Sequence, residues 1–305
     1  MSDPSRAGFA AIIGAPNAGK STLVNALVGR KVSIVTPKVQ TTRFQVRGVM
    51  IHGAAQIVLV DTPGVFAPRR RLDRAMVASA WEGATDADTI VHVVDAAAAR
   101  QGGGRTAEDV ERVIQGLKTQ GLKATLVINK IDLLKREDLL AIAQNLHETG
   151  VYDDVFMISA SNGDRVKDLA GHLAKLMPES PWLYPEDQIA DLSERLLAAE
   201  VTREKLFLRV HEELPYALTV ETDIWKELRD GAVRIEQTVF VEREGHRPII
   251  LGKDGQTAKW VGKAAREELE EQLGRKVHLF LFVKVRPKWG EDRERYSALG
   301  LDFDV

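Results

Sequence analysis

Residues 14–22 read Gly14-Ala15-Pro16-Asn17-Ala18-Gly19-Lys20-Ser21-Thr22 and follow the apolar run Phe9–Ile13. Two glycines five positions apart, followed by lysine and serine, are typical of the loop that wraps phosphates between a β-strand and an α-helix. The N–H groups of such a turn and of the next helix point partial positive charge at phosphate oxygens. The stretch therefore predicts a nucleoside triphosphate site in an α/β fold.

Three shorter strings follow in order along the first half of the chain: Asp61-Thr62-Pro63-Gly64, Asn129-Lys130-Ile131-Asp132 and Ser159-Ala160. Each comes directly after a predicted strand, and ligands of open α/β sheets bind beyond the carboxyl ends of the strands. The Asp132 carboxylate can accept two hydrogen bonds from the guanine edge, whereas adenine would direct a lone pair at it. The strings together predict a site for GTP rather than ATP.

The residue types also predict roles within this site. Lys20 is expected to place its charge between the β- and γ-phosphates, Ser21 to bind Mg2+, and Asp61 to hold the metal through water. Gly64 is expected to offer its N–H to the γ-phosphate. The predicted nucleotide contacts are Gly14, Ala15, Pro16, Asn17, Ala18, Gly19, Lys20, Ser21, Thr22, Asp61, Thr62, Pro63, Gly64, Asn129, Lys130, Asp132, Ser159 and Ala160, with Lys20 and Gly64 among the catalytic groups.

Alternation of strand-length apolar runs with helical periods predicts an α/β nucleotide domain with a mostly parallel, six-stranded sheet covered by helices. The predicted strands are Phe9–Ile13, Phe44–Ile51, Gln56–Val60, Thr89–Val94, Ala124–Ile128 and Val155–Ile158. A helix from Val166 should end at Met177, because three prolines follow by Pro185. We therefore predict a nucleotide domain over 1–178, a linker over 179–190 and a second domain over 191–305.

The second half predicts an α+β domain that grips single-stranded RNA. A helical stretch precedes two alternating runs joined at Asp230-Gly231, and Gly252-Lys-Asp-Gly255 then opens an amphipathic helix that is followed by a strand over 277–285. A Gly-x-x-Gly loop in this order is the KH arrangement. The predicted RNA contacts are Ile249, Ile250, Gly252, Lys253, Asp254, Gly255, Lys259 and Lys263.

The distribution of charged residues favours a local basic patch for nucleic acid, because the chain as a whole has no excess of positive charge. The net charge of the 305 residues is −2, yet residues 245–290 hold ten basic and five acidic side chains. The alternative is a solvated helix of mixed charge. We expect Trp260 and Phe280 in the core. The lack of cysteine and of a secretory or membrane-spanning apolar segment predicts a cytoplasmic protein.

Several further strings carry a family resemblance. They are Ser33-Ile-Val-Thr-Pro-Lys-Val-Gln-Thr-Thr-Arg43, Thr202-Arg-Glu-Lys-Leu-Phe207, Glu213-Leu-Pro-Tyr216, Leu251-Gly-Lys-Asp-Gly255 and Val283-Lys-Val-Arg-Pro-Lys-Trp289. With the nucleotide strings, they make the chain resemble the Era family, bacterial GTPases that join a Ras-like domain to a C-terminal KH domain of the second topological type.

The resemblance implies further roles for single residues. The first switch is expected between Lys31 and Arg43. One of its threonines, Thr41 or Thr42, should reach Mg2+, and similarity to related GTPases favours Thr42, which is then also catalytic. Val65 stands where Ras-like enzymes carry the glutamine that orients water, which implies slow intrinsic GTP hydrolysis. Asn17 is similar to an asparagine that coordinates K+ in relatives.

The resemblance also implies partners. It implies binding of the 3′ end of 16S ribosomal RNA, help in maturation of the 30S subunit, a monomer, and peripheral association with the cytoplasmic membrane. Two alternatives remain open from the residues. One is a metabolic P-loop kinase, and the other is a membrane-associated signalling GTPase whose second domain binds protein or lipid.

Overall fold

A computed structural model of the chain describes residues 4–305 and divides into two compact units. The first unit comprises the described residues up to Val35, then Val39–Asp191 and Arg293–Val305, while the second comprises Thr36–Lys38 and Leu192–Asp292. Residues 1–3, where the predicted nucleotide domain starts, lie outside the described residues.

The first unit is built on a seven-stranded sheet. Its elements are β1 (Arg6–Ile13), α1 (Lys20–Val28), β2 (Val46–His52), β3 (Ala55–Asp61), α2 (Arg71–Thr85), β4 (Thr89–Asp95), α3 (Ala96–Gln101), α4 (Gly104–Gln120), β5 (Ala124–Asn129), α5 (Arg136–His147), β6 (Tyr152–Met157), α6 (Val166–Leu176) and β7 (Ala190–Asp191). The strand order is β6-β5-β4-β1-β3-β2-β7, and β2 runs antiparallel to both of its neighbours.

Helices bury both faces of this sheet, which explains why its central strands are almost continuously apolar. On one face, Leu23 of α1 and Leu169 of α6 pack with Ile57 of β3. On the other, Ala80 of α2 and Val113 of α4 pack in a second apolar cluster. The central strands are thereby held in one register, and their carboxyl ends form a fixed edge.

The predicted fold class is confirmed, with one strand more than predicted. Strand β7 comes from the end of the predicted linker and has only two residues. The Gln56 side chain holds the preceding segment, because its Oε1 accepts from Leu183 N at 2.8 Å and its Nε2 donates to Tyr184 O at 2.8 Å. A segment interrupted by prolines has no alternating strand pattern, so the sequence alone did not predict that this segment is held against the sheet. The contacts of the buried Gln56 show it.

The C-terminal segment groups differently from the predicted second domain. Residues 293–305, which include α10 (Arg293–Ala298), belong to the first unit. Arg71 of α2 donates to Phe303 O at 3.0 Å, and its guanidinium carbon lies 4.3 Å from the Phe303 ring centroid. Tyr296 and Leu301 are buried in this segment. The difference arises because the residues that anchor the segment lie more than 200 positions earlier in the chain.

The second unit has a three-stranded sheet of order β10-β9-β8. Its elements are α7 (Glu194–Arg209), β8 (Leu218–Glu227), β9 (Val233–Val241), α8 (His246–Leu251), α9 (Gln256–Leu273) and β10 (Val277–Val285). Strands β8 and β9 form the predicted antiparallel hairpin, and β10 joins β9 in parallel. Phe207 of α7 and Val261 of α9 pack on one face with Val239.

Helix starts follow local hydrogen bonding. Ser193 precedes α7 and accepts from Leu196 N at 3.3 Å, and Asp95 precedes α3 and accepts from Ala97 N at 2.9 Å. Both satisfy N–H groups that the first helical turn leaves without partners. Among residues 4–305, the structure contains no helix with the length and apolar character needed to cross a bilayer.

Candidate functional site

The phosphate-loop candidate follows β1 and depends on two glycines. Gly14 has φ +151°, and a Cβ there would lie 2.3 Å from Val93 O. Gly19 has φ +97°, and a Cβ there would lie 2.2 Å from the Asn129 side-chain nitrogen. These distances are far below van der Waals contact, so any side chain at either position would displace a neighbouring strand end. The glycines let the loop lie directly on the end of the sheet.

Lys20 begins α1 and is buried, with its ammonium group held inside the loop. Nζ donates to the carbonyls of Gly14 at 3.2 Å and Ala15 at 3.0 Å. Burial lowers the Lys20 pKa to about 8, although attraction to Asp61 opposes the shift. A cation held by two carbonyls at the centre of a loop of N–H groups is suited to receive phosphate oxygens.

Ser21, Thr42 and Asp61 converge from α1, the first switch and the end of β3. Ser21 Oγ donates to Asp61 Oδ2 at 2.7 Å and lies 2.9 Å from Thr42 Oγ1, which is 3.4 Å from the same carboxylate oxygen. Of the two threonines left open by the sequence, Thr42 lies in this cluster.

The donor set of this cluster fits Mg2+. It offers only oxygen atoms, which are the ligands that Mg2+ prefers. Asp61 is fully buried, and burial raises its carboxyl pKa even though the Ser21 hydrogen bond and the Lys20 charge oppose the shift. Within residues 4–305, Asp61 Oδ1 has no hydrogen-bond partner. A buried carboxylate oxygen of this kind calls for a cation or a metal-bound water.

The string Asp61-Thr62-Pro63-Gly64 lies against the phosphate loop. Thr62 Oγ1 donates to Ile12 O at 2.8 Å, which fixes the turn to β1. A Cβ on Gly64 would lie 2.9 Å from the Pro16 ring, so the backbone approaches the loop as closely as glycine allows. Val65 N donates to Gly14 O at 3.0 Å, while the Val65 side chain is buried in the apolar cluster. The valine therefore presents no polar group to the site.

Asn129 ties the base-recognition strings to the phosphate loop. Its Nδ2 donates to Ala18 O at 2.9 Å, and its Oδ1 accepts from Ala160 N at 3.0 Å. Lys130 Nζ donates to Asn17 O at 2.9 Å. Asp132 is exposed in a short 3-10 turn just beyond. The bracing role predicted for Asn129 and Lys130 therefore corresponds to specific contacts, and Asp132 stays accessible to a base.

Asp95 contributes to the site although the sequence did not predict a role for it. Its Oδ2 accepts from Lys130 Nζ at 2.6 Å while its Oδ1 caps α3. The available signal was its position, since Asp95 ends β4 directly before a helix at the same edge of the sheet as the four strings. An acidic residue at that point holds the Lys130 ammonium group in place.

The structure places the Gly-x-x-Gly loop between α8 and α9. Gly252 has φ +72°, and a Cβ there would lie 2.3 Å from Thr257 Oγ1. Gly255 has φ +73°, and a Cβ there would lie 4.0 Å from Lys259 Cε, an ordinary van der Waals contact. Lys253 and Asp254 are exposed between the two glycines, with Asp254 in the left-handed region at φ 52°. The loop therefore presents backbone and a lysine to solvent, as contact with phosphate requires.

Three expectations about the second unit need correction. Ile249 is 55% exposed, but Ile250 is 1% exposed because it packs in the core, so Ile249 alone is available to a base. Trp260 and Phe280 are 41% and 44% exposed rather than buried, with Arg209 and Arg234 over their rings. The predicted contacts Lys259 and Lys263 are both exposed on α9, and Lys263 lies 3.7 Å from Glu267.

Comparisons with known proteins support the two units separately. Residues 9–130 match the family model described as "50S ribosome-binding GTPase", and residues 213–290 match the one described as "KH domain". GTPase Era from Caulobacter vibrioides is 64% identical over 308 residues and covers 98% of each chain. The chain belongs to the Era family. It is accordingly a GTPase with a C-terminal KH domain.

Other members of the Era family show how far the likeness extends. GTPase Era from Maricaulis maris is 62% identical and covers both chains completely. A crystal structure of an Aquifex aeolicus Era variant bound to GDP and AlF4- matches with a TM-score of 0.90 at 38% identity, over 98% of this chain and 100% of that one. An Era complex with MgGDPNP and nucleotides 1506–1542 of 16S ribosomal RNA matches with a TM-score of 0.89 at 38% identity, over 99% and 100%.

Proposed function

We propose that this GTPase is a guanine-nucleotide switch that binds the 3′ region of 16S ribosomal RNA and assists maturation of the 30S subunit. The observation that carries the proposal is the Asn129 side chain, which bonds to the phosphate loop and to Ala160 at once. This joins the parts expected to hold phosphates and base. The related complex with 16S ribosomal RNA supports the choice of partner.

Each group of the proposed nucleotide site has a separate task. The phosphate loop from Gly14 to Thr22 would bind the phosphates, and Lys20 would neutralise the β- and γ-phosphate oxygens. Asp132 would accept from the guanine edge, with Ser159 and Ala160 closing the base site. These groups position GTP, and much of catalysis in phosphoryl transfer comes from positioning and electrostatic stabilisation.

We propose that Ser21, Thr42 and Asp61 hold Mg2+, as the related complex with MgGDPNP suggests. When bound, the ion would neutralise charge that develops on the phosphate oxygens. Thr42 and Gly64 would respond to the γ-phosphate, because Thr42 lies beside Ser21 and Gly64 lies against Pro16 of the phosphate loop. Loss of that phosphate would release them, which is the order-to-disorder change of a GTPase switch.

Hydrolysis by the unassisted chain is proposed to be slow. The Val65 side chain is apolar and buried, so it cannot orient an attacking water. Asn17 lies within the phosphate loop with φ 63°, and we propose it as a ligand of K+, an ion that would supply the missing positive charge. A rate that rises with K+ but not with Na+ would support this role.

The RNA side of the proposal rests on the Gly252–Gly255 loop. Lys253 would neutralise a phosphate that approaches the two glycines, Ile249 would contact a base, and Lys259 and Lys263 would add positive charge along α9. We propose a nucleotide domain over 1–178 and an RNA-binding domain that begins at 191, with residues 293–305 grouped with the first unit. We also propose a cytoplasmic location and a monomeric state. Association with the membrane is tested below as the competing property.

Paired variants of the full chain test both halves of the proposal. Lys253→Ala with Asp254→Ala should weaken binding of a 16S fragment containing nucleotides 1506–1542 and leave GTP affinity unchanged. Asp132→Asn should weaken GTP binding and leave binding to the RNA fragment unchanged when both proteins are measured without nucleotide. If the wild type did not bind guanine nucleotides, the proposed switch function would be wrong. Binding to anionic lipid vesicles but not to RNA would favour the membrane alternative.

A further inference from the structure

One face of β10 carries a row of alternating side chains that the Gly252–Gly255 loop does not use. The row consists of Lys276, His278, Phe280, Phe282, Lys284 and Arg286, and is called the outward row below. Backbone hydrogen bonds carry the pairing past both ends of β10, since Val233 N donates to Lys276 O at 2.9 Å and Arg286 N donates to Val241 O at 2.8 Å. All six positions therefore belong to one continuous ladder.

The outward row faces away from the helices of the second unit. Leu281, between the two phenylalanines, lies on the other face, where a Cβ on Gly262 of α9 would be 3.5 Å from its Cδ1. Because successive strand residues point to opposite faces, Phe280 and Phe282 point away from α9. They are 44% and 46% exposed. Two adjacent exposed phenylalanines on a regular strand are uncommon unless they meet a partner.

Strand β9 adds an aromatic ring and a cation to the same face. Phe240 pairs with Lys284, and Arg234 pairs with His278. The Arg234 guanidinium carbon lies 4.8 Å from the Phe280 ring centroid. Phenylalanines on neighbouring strands, with cations close by, are the arrangement by which sheet surfaces stack unpaired bases.

The charges along this face favour a polyanion. The outward row has three cations and a histidine and no acidic residue, with the cations at its two ends. Acidic groups nearby offset two cations of this face, because Glu236 accepts from Arg234 Nε at 2.8 Å and Asp292 pairs with Arg286, while Asp223 on β8 accepts from Thr238 at 2.6 Å. The positive charge assigned to phosphates is therefore that of Lys276 and Lys284. Glu221 also lies on β8, so negative charge gathers on the strand farthest from β10.

We propose that the outward row of β10 is a second contact for single-stranded RNA, in which bases stack on Phe280 and Phe282 while Lys276 and Lys284 meet phosphates. Neighbouring outward positions on a strand are about 6.6 Å apart, which gives each ring room for its own base. The site lies on the sheet face opposite α9 and so differs from the loop contact. It rests on the proposed RNA-binding function, which it extends by a second segment of the RNA.

The test measures binding of the full chain to the 16S fragment of nucleotides 1506–1542 by fluorescence anisotropy. Phe280→Ala with Phe282→Ala should weaken binding roughly tenfold or more, since stacking on an aromatic side chain contributes about 1–3 kcal/mol per base. Tyrosine at both positions should restore it. Ile224→Ala is the matched control, because Ile224 is 42% exposed on β8. Its affinity should stay within about twofold of wild type.

A salt series gives a second readout. Lys276→Ala with Lys284→Ala should reduce the slope of log affinity against log salt by about 1.4, the value for two phosphate contacts on a single strand. An unchanged slope would contradict the proposed phosphate contacts of Lys276 and Lys284. Unchanged thermal unfolding of all variants should show that loss of binding does not come from misfolding.

The outcomes separate this proposal from the proposed function. If Lys253→Ala loses RNA affinity and the double alanine variant at Phe280 and Phe282 keeps it, the outward row is refuted and the loop contact stands. If the wild type does not bind the fragment, both fail. If the phenylalanine variant abolishes self-association in sedimentation while its RNA affinity is unchanged, the row docks a second copy of the chain and the proposal is wrong.

Discussion

At the scale of single residues, Asn129 shows how a site formed by distant strings is held together. Its two hydrogen bonds, at 2.9 and 3.0 Å, join segments that lie more than 100 and about 30 positions away. Both partners are backbone atoms, so the side chain is tied to the path of the chain rather than to particular side chains. The same packing leaves no room for a Cβ at Gly19.

The cluster of Ser21, Thr42 and Asp61 yields a prediction with an internal control. Thr42→Val should raise the Mg2+ concentration needed for tight binding of a non-hydrolysable GTP analogue roughly tenfold, because an oxygen ligand is lost. Thr41→Val removes a hydroxyl one position earlier and should leave the requirement unchanged. Mg2+ titrations of analogue binding provide the measurement. A larger effect of the Thr41 substitution would assign the ligand to the other threonine.

His92 predicts a dependence of stability on pH. Burial, with a smaller contribution from the Lys20 charge, lowers the His92 pKa from 6.5 to about 3. Below pH 6.5 this histidine is protonated in the unfolded chain but stays neutral in the folded chain. Stability therefore falls as the pH drops from about 6.5 towards 3. Between pH 7.5 and 5 the loss from this group is about 2 kcal/mol.

The check on His92 uses a non-titrating replacement. His92→Asn keeps a polar group near Tyr152, whose hydroxyl lies 2.7 Å from His92 Nδ1. Between pH 7.5 and pH 5, the free energy of unfolding of the variant should fall by about 2 kcal/mol less than that of wild type. Urea denaturation at the two pH values, monitored by hydrogen exchange of β4, measures the difference. His147→Asn, at an exposed position, should behave as wild type. Equal losses in wild type and the His92 variant would contradict the prediction.

At the scale of elements, the turn between α8 and α9 separates two glycines that look equivalent in the sequence. Ala at either position pays for a positive φ, a cost of about 1–2 kcal/mol. Gly252→Ala must also displace Thr257, whose Oγ1 would be 2.3 Å from the new Cβ, whereas a Cβ on Gly255 would make only an ordinary contact with Lys259 Cε at 4.0 Å. Gly252→Ala should therefore lower the melting temperature of the second unit more than Gly255→Ala. Equal melting temperatures would mean that the turn shifts without cost.

The sequence predicted the elements better than it predicted their surroundings. All six predicted strands of the first unit are present, because runs such as Ala124–Asn129 are buried on both faces and are mostly apolar. Strand β7 was missed, since two residues carry no periodicity. Phe280 was misassigned because alternation marks two faces of β10 but does not tell which face a helix covers. Ile250 was misassigned because Ile249 and Ile250 are neighbours of the same type on α8, and the sequence alone does not tell which of them packs in the core.

The sequence motifs of the candidate nucleotide site were predictable, but the contact that supports Lys130 was not. Motif spacing identified Asn129 and Lys130, and strand-end placement explained why they meet the phosphate loop. Asp95 escaped because an aspartate before a helix is ordinary capping chemistry. Only the 2.6 Å contact with Lys130 distinguishes it.

At the scale of the whole molecule, the C-terminal segment belongs to the first unit, and this predicts a stability effect far from the site in sequence. Phe303 lies under the guanidinium groups of Arg71 and Arg293 and meets the Tyr296 ring at 5.0 Å between centroids. Phe303→Ala should speed hydrogen exchange in α2, with a loss of about 1–2 kcal/mol. Val305→Ala is the control, because its side chain is exposed and only its carbonyl bonds to Arg74. Unchanged exchange in α2 of the Phe303 variant would show that the segment does not support that helix.

The central claim joins a guanine-nucleotide switch and an RNA-binding domain in one chain. If the two are coupled, the nucleotide state must change RNA affinity, and RNA must change nucleotide affinity by the same factor. The most direct measurement is titration of the full chain with the 16S fragment in the presence of GDP or of a non-hydrolysable GTP analogue. We predict tighter RNA binding with the analogue, by a factor of about 5 or more. Equal RNA affinities in the two nucleotide states would contradict the claim.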